Sequence, residues 1–192
     1  MRVGILLYDG VEELDAMGVY EVLAKAKQLH PQLDLVVRTR ARQEMITAAL
    51  GMKMLAHEVR ADFEDLDLLI VPGGPGRKEV VGDPGILDDL LAFGTEKPVA
   101  SVCTGASILK AAGLLAGRLA TTHHEAFEEL RGVATVIEQR VVEDDLVTTA
   151  AGVTGSIDLG LHILEKYFGA ALAEEVAVRI EYAPVRVLSR GT

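Results

Sequence analysis

The chain has 192 residues, 49% of them hydrophobic and 25% charged, a globular composition with room for one core and not for two. Its formal net charge is −10, and its densest basic group is only Arg38, Arg40 and Arg42, so it offers no clustered Lys/Arg face for nucleic acid. No apolar run reaches the roughly 18 residues of a membrane span, and the N-terminal run is too short for a secretory signal, so the sequence reads as cytoplasmic.

In chain order, Val3 to Tyr8 is a continuous apolar run, the pattern of a buried parallel strand, broken by Asp9-Gly10. From Glu12 to Leu29 the apolar residues Leu14, Met17, Val22, Leu23 and Ala26 recur at helical spacing, and Pro31 closes the helix. Leu33 to Val37 is a second strand, and Met45 to Ala56, with Gly51 in its middle, reads as a hairpin. Leu66 to Val71 is a strongly buried strand running into Pro72-Gly73-Gly74-Pro75-Gly76. Asp83-Pro84 opens a helix to about Phe93. Pro98 to Val102 is a short buried strand, and Cys103-Thr104-Gly105 turns into a helix ending near Gly113.

Arg118 to Thr122 is a strand candidate and His123 to Leu130 a helix. Val133 to Val142 and Leu146 to Thr149 read as two strands joined at Glu143-Asp144-Asp145. Two helices follow, from about Thr154 to Phe168 and from Ala170 to Arg179, and Pro184 makes the tail irregular. Strands alternating with helices predict one α/β domain over residues 1–192, with a mostly parallel sheet sandwiched by helices. Ligands of such sheets bind beyond the C-terminal strand ends, where Asp9–Asp15, Pro72–Gly76 and Cys103–Gly105 fall.

Cys103 is the one cysteine, which excludes an intramolecular disulfide and a Cys-based zinc cluster. A lone cysteine is most simply a small buried hydrophobe. Its place between a buried strand and a helix is instead that of a nucleophile elbow, predicting strained backbone there. A helix N-terminus would favour the thiolate. Glu12, Glu13 and Asp15 are either solvated acids at a helix start or the source of a protonated acid beside the sulfur. Gly73 and Gly74 either form a tight turn or aim N–H groups at an oxyanion. His123 could complete a Cys–His pair. Adjacent His123 and His124 have no further ligand motif, so no metal is expected.

Four segments together resemble the ThiJ/PfpI superfamily: V-E-E-L-D-A-M-G, L-L-I-V-P-G-G-P-G, the long block from S-V-C-T-G to A-T-T-H-H, and A-A-G-V-T-G-S-I-D-L-G-L. The resemblance implies a flavodoxin-like, glutamine-amidotransferase-like fold and a homodimer. Within that superfamily the chain most resembles isonitrile hydratases, through Asp15 in E-L-D, Thr104 in V-C-T-G and the segment I-E-Y-A-P, Ile180 to Pro184. It departs from them in Y-D-G-V-E-E, in His124 where an aromatic residue follows the first histidine, and in the short tail after Pro184. The resemblance implies Cys103 as nucleophile, Asp15 as its acid partner, Thr104 as an assisting residue, and the Gly74 and Thr104 N–H groups as an oxyanion-type hole. The implied substrate is a small molecule, an isonitrile hydrated to a formamide without cofactor or metal. The alternatives are a Cys103–His123 amidase or peptidase, a glyoxalase-like hydratase of small dicarbonyls, and a redox-sensing or binding protein.

Overall fold

The computed structural model describes residues 1–39 and 44–182. Arg40 and Arg42 of the basic group, and the end of the I-E-Y-A-P segment with Pro184, lie outside the described residues. The strands are β1 (Arg2–Leu7), β2 (Asp34–Thr39), β3 (Met45–Thr47), β4 (Lys53–Leu55), β5 (Glu58–Val59), β6 (Leu68–Val71), β7 (Val99–Val102), β8 (Leu119–Ala120), β9 (Thr135–Val136), β10 (Val141–Asp144) and β11 (Val147–Ala150). The helices are α1 (Glu13–Leu29), α2 (Arg77–Val81), α3 (Pro84–Glu96), α4 (Gly105–Ala111), α5 (Phe127–Leu130), α6 (Gly155–Phe168) and α7 (Ala170–Arg179).

Seven strands form the central sheet in the order β10-β11-β7-β6-β1-β2-β5. All neighbours are parallel except β10 and β11. The core strands earn their place by composition: β6 (LLIV) and β7 (VASV) are buried at every residue. Such runs need cover on both sides. α1, α6 and α7 pack together as one helical layer, and α2, α3, α4 and α5 form another. The order reverses between β1 and β6, because β2 lies on one side of β1 and β6 on the other. That switch point opens a crevice at the C-terminal strand ends.

Several sequence expectations change. The run from Val133 to Val142 is two short strands, β9 and β10, belonging to different sheets. His123 to Leu130 is a 3-10 turn at His124–Ala126 followed by a single turn of α5. β5 and α2 were not anticipated; both are too short for a periodicity to show. Arg38, near the end of β2, is fully buried. Its guanidinium donates to the Glu58 and Asp65 carboxylates and to the Asp62 carbonyl at 2.9 Å, which is the pairing a buried charge requires.

The seam between α1 and α6 fixes where α1 stands. A Cβ on Gly18 would meet Ser156 Oγ at 2.1 Å, and one on Gly160 would meet Val22 Cβ at 2.8 Å. Val22 Cβ is attached directly to the helix backbone and has no rotamer to escape through. Gly160→Ala is therefore expected to destabilise the fold by about 1–3 kcal/mol through overpacking. The check is urea denaturation: the midpoint should fall with the slope unchanged.

Candidate active site

β1, β6 and β7 are neighbours in the sheet, so the residues that follow them converge: Tyr8, the Pro72–Gly76 turn and Cys103. Cys103 extends the β7 ladder by one residue. Its N–H donates to the Ala150 carbonyl at 3.0 Å, and the Thr122 hydroxyl donates to the Cys103 carbonyl at 2.7 Å. Between these anchors its φ is +55°, a left-handed conformation in which a non-glycine residue is uncommon. Gly105 opens α4 directly against the end of β6; a Cβ there would meet the Val71 carbonyl oxygen at 2.1 Å. The strand–cysteine–helix turn is thus wedged between two strand ends.

Asp15 lies in the first turn of α1 and is wholly buried. Its Oδ2 accepts the Gly73 N–H at 2.9 Å. Its Oδ1 lacks a well-formed hydrogen bond, and the Cys103 thiol and the Val153 N–H act on the carboxyl. Of the other two acids, Glu12 lends only its charge to Asp15 and Glu13 is engaged by the hairpin. Glu13 Oε1 accepts the Leu50 N–H at 2.8 Å, tying α1 to the β3–β4 turn, while the Glu12 N–H donates to the Gly73 carbonyl.

Burial pushes Asp15 up to about 7, aided by the nearby charge of Glu12 and opposed chiefly by the Gly73 N–H. Burial and the charge of Asp15 push the Cys103 thiol up to about 11. The expectation that a helix terminus favours the thiolate needs correction. The Thr104 and Val153 N–H groups do act in that direction, but desolvation and Asp15 outweigh them. A proton on Asp15 removes the like charge facing the sulfur, and the resulting carboxylic acid is a donor.

Thr104 and the two glycines are brought together. Gly74 N–H donates to Thr104 Oγ1 at 3.0 Å. Gly74 has φ +118°, and a Cβ on Gly73 would meet Thr104 N at 2.6 Å, so this close approach needs both glycines. His123 caps the 3-10 turn that follows β8. Its Nδ1 accepts the Glu125 N–H at 3.3 Å, and its ring lies against Gly152 and 4.4 Å from the ring of His124. With Thr122, Val153 and Arg140 it lines a recess of about 480 Å³ beside the elbow. Among the described residues, no group of three or more His, Cys, Asp or Glu could hold a metal ion, and no helix is long and apolar enough to cross a membrane.

Two participants have no role in the sequence reading. Val153 has φ +45°, an outlier for a β-branched residue, and presents its N–H to both Asp15 and Cys103. Its only signal was membership of A-A-G-V-T-G. Tyr8, the last residue of the first apolar run, is buried with its hydroxyl on the glycine turn.

The model of the DJ-1/PfpI family matches residues 1–166. The isonitrile hydratase of Pseudomonas putida is 32% identical over 197 aligned positions, covering 100% of this chain and 83% of that protein. A ThiJ/PfpI family protein from Pseudomonas syringae superposes with a TM-score of 0.84 at 27% identity, covering 100% of this chain and 78% of that one. Drosophila melanogaster DJ-1beta superposes at 0.86 with 20% identity, covering 95% and 98%, a likeness of fold.

The raised Asp15 has a thermodynamic consequence. Its pKa lies above the usual 3.8, so its contribution to stability is full below about pH 4 and is lost as the pH rises through about 7. Asp15→Asn removes that loss. The variant should gain up to about 4 kcal/mol over the wild type above pH 8, with the gain vanishing at pH 4. Urea titrations at pH 4, 6 and 9 measure it; a difference that does not vary with pH would contradict an uncompensated buried carboxyl.

Proposed function

Because the chain belongs to the DJ-1/PfpI family, we propose that it is a cysteine-dependent hydratase converting an isonitrile to an N-substituted formamide. The observation that carries the reading is a carboxyl held near neutrality by burial beside the thiol of a strained elbow. The likeness to the Pseudomonas putida isonitrile hydratase supplies the substrate class.

The isonitrile carbon is a centre that accepts both a nucleophile and a proton. The Cys103 thiol passes its proton to the Asp15 carboxylate, the sulfur bonds to that carbon, and the Asp15 carboxylic acid gives the same proton to that carbon, leaving a thioimidate and an Asp15 carboxylate. Water then adds across the C=N bond, oxygen to carbon and hydrogen to nitrogen, with the carboxylate taking a proton from the attacking water. The carbon–sulfur bond breaks, the formamide carbonyl forms, and the pair recovers its proton. The sum is isonitrile plus water to formamide, so no metal, redox partner or organic cofactor enters the balance. Dividing the hydration into two steps is the gain from covalent catalysis. The Gly73 and Gly74 N–H groups are engaged by Asp15 and by Thr104 Oγ1, so of the expected oxyanion-type hole it is the Thr104 N–H that favours negative charge on the sulfur.

The reading includes a cytoplasmic homodimer acting on a small molecule. Leu50 at the β3–β4 turn is 82% exposed and Leu55 is 69% exposed, beside Met52 and, on α1, Met17. A recess of about 280 Å³ between hairpin and helix is lined by Met17, Tyr20, Met52 and Leu55. A protrusion and a recess on one face suit a two-fold contact in which each copy fills the other. α1 also carries Asp15, so the contact would brace the acid.

Purified, reduced protein given a simple alkyl isonitrile should release the formamide, with a thioimidate adduct on Cys103 by mass spectrometry. Cys103→Ser and Asp15→Asn should each lose about a thousandfold or more. Turnover surviving in Cys103→Ser, or none in the wild type, sinks the hydratase. Separately, sedimentation velocity at micromolar concentration should show a dimer that Leu55→Glu converts to monomer; a monomeric wild type rejects the interface.

A further inference from the structure

We infer that Tyr8 is a positioning residue that sets the Cys103–Asp15 pair through two consecutive peptide units of the glycine turn. The inference rests on the reading of Cys103 and Asp15 as a functional pair, and not on which substrate they act upon. Tyr8 follows β1 and is buried. Its hydroxyl lies 2.7 Å from the Pro72 carbonyl oxygen and 2.8 Å from the Gly73 carbonyl oxygen. A phenol has a single proton, so the two carbonyls share one donor in a three-centre bond.

Each of those carbonyls belongs to a planar peptide unit whose other end matters. The unit carrying the Pro72 carbonyl also carries the Gly73 N–H, the donor to Asp15 Oδ2 at 2.9 Å. The unit carrying the Gly73 carbonyl also carries the Gly74 N–H, the donor to Thr104 Oγ1 at 3.0 Å. One hydroxyl therefore holds the back of two rigid plates whose front edges grip the acid and the residue after the nucleophile. The glycines, with no side chains to wedge against their neighbours, leave the orientation of these plates to hydrogen bonds. Holding a carbonyl also polarises its peptide and strengthens the N–H at the far end.

The two plates are not equally dependent on Tyr8. The Gly73 carbonyl also accepts the Glu12 N–H at 2.9 Å, so it keeps a partner when the phenol is lost. The hydrogen bond described for the Pro72 carbonyl is that of Tyr8. Loss of the hydroxyl should thus loosen the Asp15 anchor more than the Thr104 contact. The Gly73 N–H favours the charged carboxylate, so a looser anchor moves Asp15 toward its protonated form. Glu12 and Cys103 face Asp15, and the charge of Arg77 reaches Tyr8; all three remain in a Tyr8→Phe variant, so a displacement there reports the peptide contact.

The test is the pH dependence of Cys103 alkylation by iodoacetamide, which reads one thiol because the chain has one cysteine and needs no isonitrile. The inflection belonging to Asp15 in the wild type should move up by about half a unit or more in Tyr8→Phe. It should be absent in Asp15→Asn, and Tyr8→Phe/Asp15→Asn should match Asp15→Asn. A purely structural role for the phenol would lower thermal stability and leave the profile in place. A Tyr8→Phe profile superimposing on the wild type overturns the inference, as does an equal displacement with and without the Asp15 carboxyl. Should Tyr8→Phe not fold, 3-fluorotyrosine at position 8 keeps the hydroxyl and makes it a stronger donor. The displacement should then be downward, and an unmoved or upward profile overturns the inference. Absence of formamide production would remove the hydratase and leave these alkylation outcomes intact.

Discussion

The carboxyl of Asp15 is wholly buried between the glycine turn and Cys103, and the rest of the structure is arranged around that burial. An isolated buried carboxylate is costly, so the group is met by the Gly73 N–H and by a pKa raised to about 7. Bringing it there requires α1 to lie close over the sheet. The close approaches of Gly18 to Ser156 and of Val22 to Gly160, on the same face of α1 as Asp15, fix that helix against α6. Glu13, two residues before Asp15, anchors the same turn of α1 to the β3–β4 hairpin. The acid is thus held from the helix, from the loop after β6 and from the hairpin at once.

Backbone strain accompanies this burial. Cys103 and Val153 are both non-glycine residues at positive φ, and both flank the carboxyl. Conformations of this kind persist only where surrounding contacts over-determine them. For Cys103 those contacts are the ladder bond to Ala150 and the Thr122 hydroxyl on its carbonyl. The neighbours β6, β7 and β11, in register at Val71↔Ser101 and Ala150↔Val102, supply the rigid frame. A loop-borne nucleophile would lack it.

The electrostatics follow from the same geometry. Helix α4 spans only Gly105–Ala111, and the thiol beside it is pushed up, not down, because desolvation and the neighbouring carboxylate act against the charged sulfur. A site built this way stores a proton between two groups instead of displaying a free thiolate. That suits chemistry in which nucleophile and proton must reach the same atom.

Much of this was legible from residue order. The buried runs at Val3–Tyr8, Leu66–Val71 and Pro98–Val102 gave the central parallel strands, and the abrupt change from apolar run to Cys-Thr-Gly marked the elbow, because burial pattern and turn chemistry are local properties of the chain. Short elements such as β5 and α2 escaped, since two to five residues cannot display a period. The run Val133–Val142 misled because its apolar content could not reveal that its two halves pair with different partners. What the sequence determined by itself was the fold class and which residues stand at the sheet edge. Which of Glu12, Glu13 and Asp15 meets the sulfur was there only as a resemblance to relatives. Tertiary structure alone decided that Asp15 is desolvated, that Val153 adopts positive φ and that the Tyr8 hydroxyl holds the glycine turn. Each of these depends on a hydrogen-bond partner or a loss of water supplied by residues tens of positions away, and no local pattern encodes that.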